Sequence, residues 1–216
     1  MCTLIVGGCS PPPPNDTGYL ERLVEDRALK DEAFKQGEDS PVPLDRRSWM
    51  LPLRYYAPDL TYRVPAQLNM TADQPIFQIP TSTGQLRSMQ RIGHLEFMLK
   101  GKPRSLSAFV EIPVQEVDRL FIPFRDETSL NETYPAGRYL DLYRTPTGIY
   151  DLDFNRAYHP YCYYNEEYDC PFPPPENRLA MDILAGERLP PENERRFPIT
   201  VPAVPEQDTL IAPSGN

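Results

Sequence analysis

Proline constrains this chain more than any other residue. It supplies 27 of the 216 positions, against about 5% in an average protein, and it recurs along the whole length. Each proline fixes φ and removes a backbone donor, which penalises long helices and central strands alike. Short strands joined by stiff loops satisfy that constraint. With 40% hydrophobic residues the chain still builds one core, so the expectation is a single domain with tails.

The pattern of apolar residues agrees. Thr17 is placed to cap a helix running to about Gln36, with Leu20, Leu23, Val24, Ala28 and Phe34 on one side and Gly37 ending it. Beyond it the pattern predicts strands over 60–68, 76–79, 86–92, 94–99, 106–112, 119–124, 138–142, 149–154 and 179–184. Alternation is clearest in a hairpin around Gly101, where Leu95, Phe97 and Leu99 answer Leu106, Ala108, Val110 and Ile112. A second hairpin turns at Thr147-Gly148. The expected fold is mainly β (α+β): an antiparallel β-sandwich or partly open barrel of short strands with one N-terminal helix. Residues 1–16 read as a truncated signal and tether, 17–189 as the domain, and 190–216 as a Pro-rich polar tail.

Charge and missing motifs exclude several classes. A net charge of −9 disfavours nucleic acid, which needs a basic face, and anionic lipid surfaces. The phosphate-binding loops, the serine-hydrolase elbow and the His-Glu-x-x-His zinc motif are all absent from the sequence. Near the start, Leu4-Ile5-Val6-Gly7-Gly8-Cys9 resembles the end of a lipoprotein signal, although no Lys or Arg precedes Arg22. On that reading Cys9 carries a lipid, Pro11 to Pro14 form a stiff tether, and the protein sits at a bacterial cell envelope, periplasmic or extracellular, touching membrane only through the anchor.

Residues 152–179 concentrate the reactive side chains. Cys162 and Cys170 close a nine-residue loop; a disulfide there would contribute about 2.6 kcal/mol, with free thiols or a His159-x-x-Cys162 metal set as the other readings. Asp153 and Glu176 are candidate general acid and base, with Arg138 as anchor for an anionic group. Asp141, Asn155 and Asn177 join them as candidate ligand contacts, unless these side chains only bond loop backbone. Tyr158, Tyr161, Tyr163, Tyr164 and Tyr168 offer a platform for sugar rings or a protein partner, or else cover the end of the sheet. His94 reads as a structural residue.

Seven segments together resemble one family: KDEAF (30–34), SPVPL (40–44), FIPFRDET (121–128), TYPAGRYLDL (133–142), LDFNRAYHPYCYYN (152–165), CPFPPPENRL (170–179) and AGE (185–187). They are similar to the bacterial and archaeal DUF1684 family over roughly residues 18–188. The resemblance implies an envelope-associated domain of unknown function and brings no cofactor or catalytic residue with it. Where such proteins commonly read AYNP, this chain has Ala157-Tyr158-His159-Pro160, so a role for His159 would not be a family role. The expectation is an anchored domain binding a small molecule, glycan or envelope protein through the Tyr-rich, cysteine-stapled loop. The alternative is a hydrolase or lyase working through Asp153 and Glu176.

Overall fold

The computed structural model describes residues 17–113, 118–196 and 199. Cys9, the signal-like segment and most of the tail lie outside the described residues. In chain order the elements are α1 (Tyr19–Gln36), α2 (Leu44–Met50), β1 (Arg54–Tyr55), β2 (Arg63–Met70), β3 (Ile76–Pro80), β4 (Leu86–Leu99), β5 (Lys102–Glu111), β6 (Arg119–Asp126), β7 (Arg138–Tyr143), β8 (Ile149–Asp153), β9 (Arg178–Leu179) and β10 (Glu187–Arg188). Six strands run β7-β6-β5-β4-β2-β8 in antiparallel pairs. The turn at Gly148 brings β8 back beside β7, so the sheet is a nearly closed barrel rather than a sandwich.

The alternation that predicted the strands fills the barrel. Leu95, Leu106, Ala108, Leu120, Ile122, Leu140 and Leu152 all point inward and are buried, each large aliphatic contributing about 1.5–3 kcal/mol. β4 is one strand, not the expected two, because the break at Gly93 is a bulge between Arg91 and Gly93. A Cβ on Gly93 would lie 2.3 Å from the Asn69 carbonyl oxygen, so only glycine lets β2 approach. The bulge also changes phase: Met89 faces outward to Phe109 and Phe121, whereas Leu95 faces the interior. A second apolar layer therefore lies outside the barrel wall.

Helix α1 docks differently from the expectation. Gly18, in the left-handed region at φ 71°, occupies the N-cap position that Thr17 was expected to fill. Leu20 and Val24 are exposed, and the inward stripe is Tyr19, Leu23, Arg27, Lys30, Asp31 and Phe34. The helix is held largely by polar bonds. Tyr19 donates to Asp153 at 2.7 Å, Arg27 to the carbonyls of Tyr56 and Asn155, and Lys30 to Glu187 at 2.6 Å, while Asp31 accepts from the Leu53 N–H. The short α2 follows Pro43; its Arg47 donates to the Lys35 and Gly37 carbonyls and so covers the end of α1.

Two side chains repair places where backbone pairing fails. Pro123 in β6 has no N–H, and the antiparallel register through Phe109 and Phe121 sets it opposite Ser107. Asn177 enters that gap. Its amide donates to the Ser107 and Pro123 carbonyls at 2.9 and 2.7 Å and accepts from the Ser107 N–H at 2.6 Å, so a carboxamide does the work of a missing peptide rung. At one end of the interior, Arg138 is fully buried and paired with Asp126 at 3.3 Å. It also donates to the carbonyls of Ile183, Ala185 and Glu187, while Asp126 accepts from the Ile183 N–H. That stitching explains why the strand expected over 179–184 stops at Leu179: the backbone beyond it bonds to side chains. The stretch 60–62 is likewise a 3₁₀ turn capped by Asp59, not strand.

Replacing Asn177 with Ala leaves three buried backbone groups without a partner, each worth about 1–3 kcal/mol. Urea unfolding is expected to show a loss of about 3 kcal/mol or more, and a variant within about 0.5 kcal/mol of the parent would remove the rung from the account.

Candidate functional site

Residues 154–177 leave the barrel after β8, cross the outer faces of β6 and β7, and return along β6 at β9. Between this segment and the sheet lies a cleft of about 540 Å³, within the usual range for small-ligand sites. Its floor is the outward layer: Arg87 and Met89 of β4, Glu111 of β5, Arg119 and Phe121 of β6, and Tyr139 and Asp141 of β7. Tyr158, Pro160 and Tyr161 form one wall, Tyr168 to Pro171 another, and Lys30 reaches in from α1. The segment is held there by backbone pairing of Tyr139 with Tyr158 and of Thr81 with Pro171.

Aromatic edges shape the cleft. Phe121 and Tyr139 meet at 4.7 Å, Tyr139 and Tyr158 at 5.8 Å, and Tyr161 and Tyr168 at 5.2 Å between ring centroids, all edge to face. Tyr161 remains 43% exposed. The polar groups are fixed by one another: Tyr158 donates to Asp141 at 2.7 Å, Arg119 lies 3.9 Å from Asp141, and Arg87 pairs with Asp169 at 2.9 Å and Glu111 at 3.4 Å. Burial, and then the Asp141 carboxylate, raise the Tyr158 phenol well above its ordinary value, so it stays a donor. Burial pushes Asp169 up, but the hydroxyls of Thr81 and Thr83 and the Arg87 guanidinium outweigh it and hold the carboxyl below its ordinary value.

Behind the cleft lies a buried acid that the sequence reading passed over. Glu187 accepts from Lys30 through Oε1, and from the His159 N–H at 2.7 Å and the Tyr164 hydroxyl at 2.8 Å through Oε2. Burial alone would raise its pKa; the Lys30 ammonium first, then the hydrogen bonds from Lys30 and the His159 N–H, bring it below the ordinary value. Its only sequence signal was the AGE segment. There Gly186, at φ 78°, has no room for a Cβ against the Ala157 and Phe154 carbonyls. His159 is fully buried and driven down to about 3 chiefly by desolvation, so it is neutral and its 3.7 Å approach to Glu187 is no ion pair. Its Nε2 accepts from the Tyr134 N–H at 3.3 Å, which leaves the ring proton on Nδ1, toward Glu187.

The residues singled out in the sequence separate into distinct places. Asp141, Tyr158 and Tyr161 line the cleft, as does Cys170; Tyr163 and Cys162 line a smaller hollow beside α2. Asp153 and Asn155 sit together at the end of β8. There Asp153 accepts from Tyr19 and Asn155, and the Asn155 amide pairs with the backbone of Asp59 on both sides. Glu176 is exposed and lies 3.5 Å from the Ser107 hydroxyl and 3.7 Å from Arg91. Arg138 and Asn177 are the buried repairs described above. The structure therefore does not bring Asp153, Glu176 and Arg138 into one pocket, because each is engaged by a different part of the scaffold.

Cys162 and Cys170 are buried, in contact and unbridged in this structure. The Cys162 N–H donates to the Cys170 sulfur at 3.2 Å; the contact with Cys170 lowers the Cys162 pKa and raises that of Cys170. Among the described residues no group of three or more His, Cys, Asp and Glu side chains is arranged to hold a metal ion. His94 contacts Ser107 at 3.2 Å on the barrel wall. The cleft's charged lining escaped the sequence reading because Arg87, Glu111, Arg119 and Asp169 are scattered along the chain and meet only through the register of β4 to β7.

The chain belongs to the DUF1684 family, described as "Protein of unknown function (DUF1684)", whose model matches residues 51–188. It is similar to an uncharacterised protein of Haloarcula marismortui with a solution NMR structure. That match has 34% identity and a TM-score of 0.64, and covers 80% of this chain and 95% of that one. No curated protein matches the chain.

The buried histidine carries a pH signature. Between its ordinary value of 6.5 and the folded value of about 3, the unfolded chain binds a proton that the folded chain refuses. This contribution is therefore fully present above the ordinary value and is lost as pH falls toward the folded one, by up to about 1.4 kcal/mol per pH unit. Glu187, with its lowered pKa, acts in the same direction at lower pH. His159→Asn still offers an acceptor to Tyr134 and is expected to make the acid limb shallower by one proton. Urea unfolding at about pH 7 and about pH 5 checks this, and an unchanged slope would show that His159 does not supply the difference.

Proposed function

We propose that this DUF1684 chain is a binding domain whose ligand, a small molecule or the terminal unit of a larger one, occupies the cleft between the outer barrel wall and residues 154–177. The observation that carries the reading is the makeup of the cleft. It combines a concave volume of about 540 Å³, tyrosine faces at Tyr158, Tyr161 and Tyr168, and converging polar groups held in fixed positions, which is the usual composition of a recognition site. The aromatic groups need no reordering to receive a ligand, because edge-to-face packing already holds them. Titration of the isotopically labelled protein with a fragment library, followed by NMR, is expected to perturb Tyr158, Tyr161, Tyr168 and Asp141, and Tyr161→Ala is expected to weaken those hits by about fivefold. Hits confined to other surfaces would defeat the proposal.

Envelope anchorage through a lipid on Cys9 is supported by the apolar run ahead of that cysteine. Closure of Cys162 and Cys170 into a disulfide under oxidising conditions is supported by their direct contact within one buried cluster. Intact-mass measurement of protein from the native host tests both. The expected species begins at a diacylglyceryl-modified Cys9 and gains two hydrogens on reduction; an unlipidated chain, or a mass unmoved by reductant, would remove the corresponding part.

A further inference from the structure

We infer that the cleft selects a neutral, hydroxyl-rich ring, the non-reducing end or an inner unit of an uncharged glycan, and that its paired charges select against anionic sugars. The inference rests on the cleft being the ligand site and adds the class of ligand.

Every cation on the wall already has an anion. Arg87 lies between Asp169 at 2.9 Å and Glu111 at 3.4 Å, Arg119 is 3.9 Å from Asp141, and Lys30 bonds Glu187 at 2.6 Å. The last pair is asymmetric: Glu187 is 2% exposed and Lys30 29%, so the anion lies behind the wall and the cation at its surface. An incoming carboxylate or phosphate would lose its hydration to meet guanidinium groups whose charge is already cancelled, and would face Asp141, Asp169 and Glu111. A neutral polyol meets the same groups as fixed donors and acceptors and gives up far less hydration. Hydroxyls both donate and accept, which matches a lining where carboxylate oxygens alternate with N–H groups over a few ångströms. The ring's C–H face has a partner in Tyr161, the exposed tyrosine of the cleft, steadied at 5.2 Å by Tyr168.

The test is NMR titration of the full labelled chain with cellobiose and chitobiose as neutral probes and with glucuronate and galacturonate as anionic ones. The expected result is that the neutral sugars shift cleft resonances at least about tenfold more tightly than the anionic ones. Tyr161→Ala, on an exposed side chain, weakens neutral binding by about fivefold. Glu111→Gln and Asp169→Asn, made singly and together, release Arg87 and shrink or reverse the preference; the single Glu111 change serves if the double variant does not fold. Anionic sugars binding the cleft as well as neutral ones overturns the ligand class, as does the absence of sugar shifts while library fragments still bind there. In both cases the cleft stands as a site. Sugar and fragment shifts that all map away from the cleft overturn the class and the underlying reading together.

Discussion

One carboxylate holds the parts of this domain in register. Glu187 is buried at the meeting point of α1, residues 154–177 and the short strand β10, and its two oxygens accept from Lys30, the His159 backbone and Tyr164. A charge in that position is tolerable because both oxygens accept hydrogen bonds and an ammonium stands beside it. The consequence is geometric. Lys30 reaches the cleft from a helix that otherwise presents mostly polar groups to the barrel, and the backbone carrying Tyr158 and Tyr161 is fixed from behind. The main-chain carbonyl of the same residue accepts from Arg138, so the helix, the loop and the barrel interior are linked through one position.

The residue types that suggest catalysis also hold the scaffold together. Asp153, Asn155, Arg138 and Asn177 are short or planar polar groups, the kind a general acid or anion anchor requires, and for the same reason the kind that can stand in for a peptide group. In a chain so rich in proline, many backbone pairs cannot form and something must take their place. Asn177 takes the place of the donor that Pro123 lacks, and Asn155 pairs with the backbone of Asp59. Abundant proline and buried amide side chains are thus two sides of one structural solution.

Local signals in the sequence were enough for the barrel and too little for the cleft. Period-two alternation from Leu95 to Val110 identified inward faces correctly, since one face of each strand meets only apolar neighbours. The phase change at Gly93 was missed because a glycine break looks the same whether the strand ends or bulges. The face of α1 was misjudged because Leu20 and Val24 suggested an apolar stripe, whereas Arg27, Lys30 and Asp31 dock through bonds to residues far along the chain. Tyr158, Tyr161 and Asp141, singled out from composition and neighbourhood, do line the cleft. Arg87, Glu111, Arg119 and Asp169 were not singled out, because isolated charges in a chain with 25% charged residues acquire meaning only from strand pairing.

The amide rung of Asn177 also bears on how the chain reaches its native state. Ser107 and Pro123 become adjacent when β5 and β6 meet, yet their hydrogen bonds await a side chain 70 residues beyond the first and 54 beyond the second. A ribosome-bound chain that has emerged only through β8 would therefore hold a sheet with an unsealed seam, open to water and to foreign strands. Sealing comes only after the whole aromatic segment has been laid across the outer wall. The segment that forms the wall of the cleft thus also carries the rung that seals the barrel, and a chain cut short before Asn177 would lack both.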